Sequence, residues 1–430
     1  MAPSRQSIIV NHAPIGLLQS DVAAWNRWRS SNFNQHPNLD QIALDRANLD
    51  QADLSGLELK LSSLCEAELE QANLSESSLY TANLRGAHLT SASFKLSDLR
   101  EANLSMAEMN SVNLKQADLR TADLYTAQLR EADLRQANLA YADMAEAELS
   151  LSNLTEANLD GALLRQAMMY TVNLTAASLK QANLQQADLR ESILNLAQLQ
   201  QANLSDANLD QTTLVGANLS FANLSGSSLH EAVLRDAKGQ TASFRSANLS
   251  NSDLSRADLY GSDFSQANLS EAMLHGTDLS ACCLYAANLE KARLYCAVLQ
   301  QADLSRANLQ GANLVRANLK ESILRGAVLR HVNGYGANLR RTDLRRAQFQ
   351  TAILYGADLS NANLQSCVLT DANLRGVNFQ GADLRGADLR GANLKHADLR
   401  GANLDSVDLR GASLEDVKAL ERDFQNAILD

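Results

Sequence analysis

Apolar residues recur at every fifth position through most of the chain. From Leu39 to Leu414 there are 76 such positions, of which 66 are Leu, five are Phe and three are Met. Only Gly239 and Gly334 interrupt this apolar column. The residue two positions earlier is Ala in 54 of the 76 units, and the residue between them is mostly Asn or Asp. Because the register never shifts, the pattern predicts one repeated structural unit throughout 39–414.

A period of five fits neither an α-helix, which repeats about every 3.6 residues, nor a plain strand, which repeats about every two. It fits three extended residues followed by a turn. Alternation along the extended piece sends the Ala and Leu side chains inward and the Asn or Asp outward. A turn after every unit closes a square in about four units, and stacked coils pair like parallel strands roughly 4.8 Å apart. The pattern therefore predicts an all-β solenoid of about 19 coils, roughly 90 Å long.

The A-(N/D)-L-x-x units resemble those of the pentapeptide repeat proteins. The stretch GADLRGADLRGANLKHADLRGANL at 381–404 shows the unit most clearly. The resemblance covers about residues 39–414 and implies the fold of that family, a right-handed quadrilateral β-helix. It implies little about function, because the motif residues build the coil rather than a site. Some members imitate duplex DNA and occupy the DNA-binding saddle of gyrase, and some dimerise through their C-terminal coils.

The N-terminal segment, 1–38, differs sharply from the repeat and is expected to cap it, since a solenoid needs capped ends. Within GLLQSDVAAWNRWRSS at 16–31, apolar side chains that include Trp25 and Trp28 fall at helical spacing. This spacing predicts an amphipathic helix that plugs the first coil. An aromatic docking motif for a partner is the alternative. The W-N-x-W-R string resembles the segment that precedes the repeats in many cyanobacterial members of the family.

After 39–414 the repeat decays into a C-terminal segment, 415–430. Its apolar residues at helical spacing, which form the candidate C-terminal cap, are Val417, Leu420 and Phe424. They predict a short helix that covers the last coil. Ala419 and Leu429 still keep the period of five, so a degenerate last coil is the alternative. This end is also the candidate surface for a homodimer.

Charge and composition exclude several functional classes. The chain has 38 basic and 49 acidic residues, a net charge of −11, which disfavours direct binding to nucleic acid or anionic membranes. No apolar run approaches the roughly 18 residues of a membrane span. The apolar runs near the N-terminus are too broken for a signal peptide. The five Cys form neither a disulfide framework nor a zinc pattern, so we expect a cytoplasmic protein.

No catalytic or cofactor-binding motif is present in the sequence. The seven His are scattered, and no two share a column on successive coils, so neither a nucleophile–base pair nor a metal pair is predicted. There is no phosphate-binding loop. A tube filled by Leu and Ala also leaves no concave pocket for ligand chemistry. We therefore expect neither an enzyme nor a bound cofactor.

The outward positions are where function is expected. The 316–410 stretch holds 14 Lys or Arg against nine Asp or Glu. It predicts a basic, aromatic-bearing docking patch for an acidic protein partner, with an ordinary solvated face as the alternative. The candidate residues are Arg325, Arg330, Tyr335, Arg340, Arg341, Arg345, Arg346 and Tyr355. The four Arg between 340 and 346 are expected at one corner of one coil.

Two functions remain open. The first is a non-enzymatic scaffold that binds proteins through its flat outward faces, as repeat solenoids commonly do. The second is an acidic DNA mimic that binds gyrase or another DNA-binding protein. Residues 41–240, with a net charge of −12, suit the mimic. The basic stretch at 316–410 would repel a DNA-binding saddle, so the sequence favours the scaffold.

Overall fold

The computed structural model describes residues 13–429, and their backbone follows the five-residue period. Among these residues the helices are α1 (Ala13–Ser20), α2 (Val22–Ser31) and one turn of 3-10 helix (Glu421–Phe424). None of them is long and apolar enough to cross a lipid bilayer. The chain forms two compact units, of which one ends at Asn183 and the other begins at Leu184.

Both units are built from single-residue parallel bridges rather than from longer strands. Each bridge joins residues twenty positions apart, from Asn38 with Glu58 to Leu163 with Asn183 in the first unit. In the second unit the bridges run from Asp188 with Asn208 to Asp408 with Ile428. Because the bridging residues recur every five positions, each coil of twenty residues has four sides and four corners. The predicted unit and coil are therefore confirmed.

The hydrogen bonds of one unit explain why Asn or Asp precedes the inward Leu. In the unit that starts at Asn73, the N–H of Asn73 donates to the preceding coil, and those of Leu74 and Glu76 donate to the following coil. The N–H of Ser77 donates to the Leu74 carbonyl and closes the turn. Only the N–H of Ser75 has no backbone acceptor, and it donates to the Asn73 side-chain oxygen at 3.2 Å. The short Asn or Asp side chain thus completes the backbone hydrogen bonding, as in an Asx-turn.

The second residue of each turn has a left-handed backbone. Gly381 takes a φ of +66° there, which costs glycine nothing because it has no Cβ. Other residue types take the same conformation, as do Glu76 at +60° and Glu101 at +58°. Each non-glycine residue there costs of order 1 kcal/mol. The coil geometry therefore tolerates many side chains at this position.

The inward columns form the core of each unit. Leu204 is fully buried, as are most other Leu residues of the apolar column, whereas Asp206 two positions later is exposed. The Ala column also accepts small polar side chains, because a backbone carbonyl lies beside it. Ser77 donates to the Leu74 carbonyl at 2.6 Å, and Cys367 lies with its Sγ 2.8 Å from the Leu344 carbonyl. The predicted division into inward and outward positions is confirmed.

The two glycines in the Leu column do not disturb the ladder. The N–H of Gly239 donates to the Asp258 carbonyl at 2.7 Å, and that of Gly334 donates to the Ile353 carbonyl at 2.7 Å. A Cβ at Gly239 would lie 2.8 Å from Leu259 Cδ2, so the next coil already fills the space. The coil around 331–337 is therefore regular, and its core is filled.

The N-terminal segment forms two helices rather than the one predicted over 16–31. Asp21 separates them, because its extended backbone ends α1 while its carboxylate accepts a 2.9 Å hydrogen bond from the N–H of Ala24. An N-cap of this kind starts a new helix. The two helices pack against each other.

Helix α2 covers one side of the first coil, where the backbone groups have no preceding coil with which to form hydrogen bonds. Trp25 is completely buried, and its Nε1–H donates to the Asp53 carbonyl at 2.8 Å. The Asn26 side chain accepts from the N–H of Asp53 at 2.8 Å. The buried Arg29 donates to the Ser55 carbonyl at 2.5 Å. Trp28 is half-buried beside this contact, with its ring centroid 5.5 Å from that of Trp25.

Residues 415–429 do not form the α-helix predicted from the spacing of the C-terminal segment. One 3-10 turn, Glu421–Phe424, is followed by a bridge between Ile428 and Asp408. The five-residue repeat therefore continues into this segment, which forms a degenerate coil rather than a helical cap. Of the candidate cap residues, Val417 and Phe424 are half-buried, whereas Leu420 is exposed. Homodimerisation through this end stays a prediction.

Candidate functional site

Outward side chains are grouped by corner rather than by position in the sequence. Each corner holds the two residues that follow an inward Leu, and the equivalent pair lies on the next coil twenty residues later. We name four corners by one pair each. They are corner A with 330–331, corner B with 335–336, corner C with 340–341 and corner D with 345–346. Corners B and D are diagonally opposite.

The eight residues of the predicted docking patch are distributed over all four corners. Arg330 lies at A, Tyr335 and Tyr355 at B, Arg340 and Arg341 at C, and Arg325, Arg345 and Arg346 at D. Arg340 lines a groove with Asp358, whereas Arg345 lines a different groove beside Gly326. The prediction that the four Arg of 340–346 share one corner is wrong, because one side of the coil separates 341 from 345.

Many Arg side chains of the second unit are paired within their own repeat. In the sequence D-L-R, the guanidinium returns to the Asp two residues earlier, as in Arg385, whose Nη2 lies 2.7 Å from Asp383 Oδ2. This hydrogen bonding lowers the pKa of Asp383 to about 2. The same pairs form at Asp388–Arg390, Asp398–Arg400 and Asp408–Arg410. These Arg residues add little uncompensated positive charge to the basic stretch.

Corner B carries a column of aromatic and basic side chains, which we call the aromatic column. Its members are His275, Tyr295, Val315, Tyr335, Tyr355, Arg375 and Lys395. The rings of Tyr335 and Tyr355 are stacked, with centroids 5.5 Å apart and planes inclined by 14°. The Arg375 guanidinium lies 5.9 Å from the Tyr355 centroid, within range of a cation–π interaction. Tyr335 is 43% exposed and Tyr355 is 39% exposed.

Corner D carries a basic cleft of about 460 Å³, which we call the Gly326 cleft. Arg306, Arg325, Arg345 and Arg346 line it around Gly326, together with Gln365 and Ser366. A Cβ at Gly326 would have no atom within 4 Å, so the glycine leaves an opening between the Arg306 and Arg346 coils. From 285 to 386 the turn positions of this corner include no Asp or Glu.

Other clusters of ionisable side chains are small. Within residues 13–429, no group of three or more His, Cys, Asp or Glu is arranged to hold a metal ion. His88 lies between two carboxylates of neighbouring coils, 3.0 Å from Glu108 and 4.0 Å from Glu68. The hydrogen bond to Glu108 raises the pKa of His88. Cys282 and Cys367 occupy the Ala column and are buried.

Arg306, Gly326 and Arg375 are not among the residues of the predicted docking patch, which centres on the dense run of Arg between 325 and 346. Arg306 lies forty positions before Arg346, yet both line one cleft. The signal that finds them is the column: residues taken every twenty positions along each corner. A second, local signal concerns pairing. An Arg with Asp two residues earlier, as in Asp383–Arg385, pairs with that Asp.

Comparison with known proteins supports the five-residue repeat. The family model for pentapeptide repeats matches ten stretches of the chain. They are 43–79, 77–116, 127–166, 172–206, 202–238, 242–281, 282–320, 312–350, 352–391 and 382–418. Members of this family fold as right-handed quadrilateral β-helices, which agrees with the four-sided coil. No curated protein matches the chain.

Solved structures of several pentapeptide repeat proteins are similar to parts of the chain. HetL from the cyanobacterium Nostoc sp. strain PCC 7120, involved in heterocyst differentiation regulation, is 33% identical over 50% of this chain and 88% of its own, with a TM-score of 0.34. A protein from the thylakoid lumen of Arabidopsis thaliana is 29% identical over 27% of this chain and 71% of its own, with a TM-score of 0.18. QnrB1, a plasmid-mediated fluoroquinolone resistance protein, is 24% identical over 41% of this chain and 90% of its own, with a TM-score of 0.22.

Proposed function

Since the chain belongs to the pentapeptide repeat family, we propose that it is a non-enzymatic interaction protein that binds an acidic protein partner through the aromatic column of corner B. The interior of each unit is occupied by Leu and Ala side chains, so recognition must use outward positions. The exposed stack of Tyr335, Tyr355 and Arg375 is the observation that carries this proposal.

The chemistry of the column suits a protein interface. Tyr and Arg are the residue types that contribute most to binding when buried at the centre of an interface. A two-ring stack is rigid, so little side-chain entropy is lost on binding. Between 275 and 396 the turn positions of corner B include no Asp or Glu, and Arg316 and Arg375 flank the rings with positive charge. A partner with surface carboxylates is therefore complementary.

Glycines keep the column accessible. Gly336, Gly356 and Gly376 occupy the second turn position beside Tyr335, Tyr355 and Arg375. A Cβ at Gly356 or Gly376 would have no atom within 4 Å, so the flank of the column is open. A partner side chain can enter beside the rings there.

The experiment is a quantitative pull-down from extract of the native host with wild-type protein and the double variant Tyr335→Ser, Tyr355→Ser. We expect the variant to recover at least tenfold less of the specifically bound protein than the wild type does, because two central aromatic contacts disappear. Binding by the wild type should also weaken as salt is added, since exposed charge pairs are screened.

Tyr260→Ser is the matched control. Tyr260 occupies the same turn position and is 51% exposed, but it lies at corner C with Gln240 and Ser280 as its column neighbours. The control should bind the same proteins as the wild type. Equal recovery by the double variant and the wild type, with unchanged melting temperatures, would refute binding through corner B.

The acidic stretch 41–240 favours a second candidate, an acidic mimic of duplex DNA, through its net charge of −12. Exposed apolar side chains such as Met106, Tyr141 and Phe221 interrupt its outward surface, which is unlike a continuous phosphate backbone. A gyrase supercoiling assay separates the two functions. Inhibition of supercoiling by the purified protein at stoichiometric concentration would support the DNA mimic. Unchanged supercoiling would favour protein binding through corner B instead.

A further inference from the structure

We propose that the Gly326 cleft at corner D binds the phosphate group of a small oligophosphate ligand. The cleft lies diagonally opposite the aromatic column and does not depend on the function proposed for that column. Four guanidinium groups line one cavity, and the cavity is open because the central residue has no side chain.

The positive charge of the cleft is only partly compensated by carboxylates. Among residues 13–429, Asp343 is the one carboxylate that pairs with the Arg residues of the cleft: it accepts from Arg325 Nε at 2.5 Å and from Arg345 Nη2 at 2.7 Å. Arg346 has no carboxylate partner within the described residues, and the Arg306 Nη1–H donates to the neutral Tyr285 hydroxyl at 3.1 Å. Four cations therefore share one anion.

Two further carboxylates on this side of the coil have hydrogen-bond partners of their own. Asp383 is paired with Arg385 and also accepts from Gln365 at 2.6 Å. Asp303 accepts a hydrogen bond from the N–H of Ser305 at 2.9 Å. Neither contributes to the lining of the cleft. The charged side chains that line the opening at Gly326 are therefore all Arg.

The geometry favours phosphate over a single carboxylate. Arg306 and Arg346 belong to coils two steps apart, so their Cα atoms are separated by roughly 10 Å along the stack. Their side chains are long enough to converge over Gly326 from both sides. Planar guanidinium groups bind phosphate oxygens in pairs, and a multiply charged oxyanion can use several of them at once. The Ser366 hydroxyl at the rim supplies a further donor.

The test is isothermal titration calorimetry of the full chain with inorganic pyrophosphate, and with succinate as the dicarboxylate probe, at low ionic strength. We expect saturable binding of pyrophosphate and at least tenfold weaker binding of succinate. Arg306→Ala and Arg346→Ala should each weaken pyrophosphate binding at least tenfold. Arg400→Ala is the control, because Arg400 is paired with Asp398 at corner C, and it should leave the affinity unchanged.

A charge-reversal pair tests the opening itself. Gly326→Glu should abolish binding by placing a carboxylate among the four Arg, whereas Gly356→Glu at corner B should not. Both sites have a φ near that of Glu76 and Glu101 and have space for a side chain, so both variants should fold. Absence of pyrophosphate binding, equal binding of succinate, or equal effects of the two Glu variants would each overturn the proposal. Equal protein binding by the Tyr335→Ser, Tyr355→Ser variant and the wild type would refute the role of corner B, but it would not affect the phosphate site at corner D.

Discussion

Leu354 occupies the space that Gly334 leaves in the inward column: a Cβ at Gly334 would lie 2.7 Å from Leu354 Cδ2. The repeat pattern presents Gly334 as a missing Leu, and therefore as a defect. The structure shows instead that neighbouring coils share the core volume, so that one coil can lose a side chain when the next fills its place.

Restoring the consensus residue should therefore destabilise the protein. We expect Gly334→Leu to lower the free energy of unfolding by about 1–3 kcal/mol, because a filled core cannot accept another large side chain. Urea unfolding measures the change. Adding Leu354→Ala to Gly334→Leu should recover part of the loss, since the two side chains compete for one space. A Gly334→Leu variant more stable than the wild type would show that Leu354 leaves an unfilled cavity beside Gly334.

Charge inside the coil should be far more harmful than a change outside it. Leu204→Asp should cost about 3 kcal/mol or more, because it removes a buried side chain and buries a carboxylate. Asp206→Ser, two residues later and exposed, should change stability by less than about 0.5 kcal/mol. Equal shifts of the two unfolding midpoints would mean that the inward and outward positions are misassigned.

His88 should make the first unit more stable in mild acid. Its pKa is raised in the folded chain, chiefly by the hydrogen bond to Glu108. A raised pKa means that the stabilisation is fully present below the unfolded value of about 6.5 and is lost as the pH rises through the folded pKa. The melting temperature of the wild type relative to His88→Gln should therefore be higher at pH about 5.5 than at pH about 8.5.

His88→Gln is a conservative control because Gln128 occupies the same column, where it bridges Glu108. The variant should fold normally and lack this pH dependence. A wild type and a variant whose melting temperatures change in parallel with pH would rule out a stabilising role for the His88–Glu108 pair.

The cysteines should differ in reactivity according to their columns. Burial raises the pKa of Cys282 and of Cys367 to about 12, so neither forms appreciable thiolate near neutral pH. Cys296 is exposed at corner B. An aromatic disulfide reagent should modify Cys296 rapidly and the two buried cysteines only after denaturation. Rapid modification of Cys367 in the native protein would contradict its inward position.

The sequence predicted the repeating unit and the buried columns because each depends on chemistry within five residues. Leu and Ala alternate with a polar residue, and that order alone determines which side chains point inward. The hydrogen bond from Ser75 N–H to Asn73 lies within the same unit, and it gives the Asn or Asp preference a physical cause. The two-helix cap differs from the prediction for an equally local reason, the N-cap at Asp21.

The candidate sites could be predicted only in part: the sequence named Tyr335 and Tyr355, which are stacked, but not Arg306 or Gly326. Arg345 follows Arg341 by four residues, yet they lie at different corners, whereas Arg306 and Arg346 line one cleft from forty residues apart. Sequence proximity is therefore a poor guide to surface proximity in this fold. A D-L-R unit such as 383–385 also looks basic in the sequence, although its Asp compensates its Arg.

Both proposed sites depend on residues twenty positions apart being neighbours at one corner, and disulfide trapping measures this directly. The starting variant replaces the native cysteines through Cys65→Ser, Cys282→Ala, Cys283→Ser, Cys296→Ser and Cys367→Ala. One test pair adds Tyr335→Cys and Tyr355→Cys, which lie on adjacent coils at corner B. The other adds Tyr335→Cys and Arg345→Cys, which are nearer in sequence but lie at opposite corners.

Adjacent coils are roughly 4.8 Å apart, within the Cα separation of about 4.4–6.8 Å that a disulfide requires. We predict rapid, nearly complete oxidation of the 335–355 pair and none of the 335–345 pair in the native protein. In an unfolded chain the shorter loop closes more readily, so the order should reverse in denaturant. Preferential oxidation of the 335–345 pair under native conditions would contradict the corner columns on which both proposed sites depend.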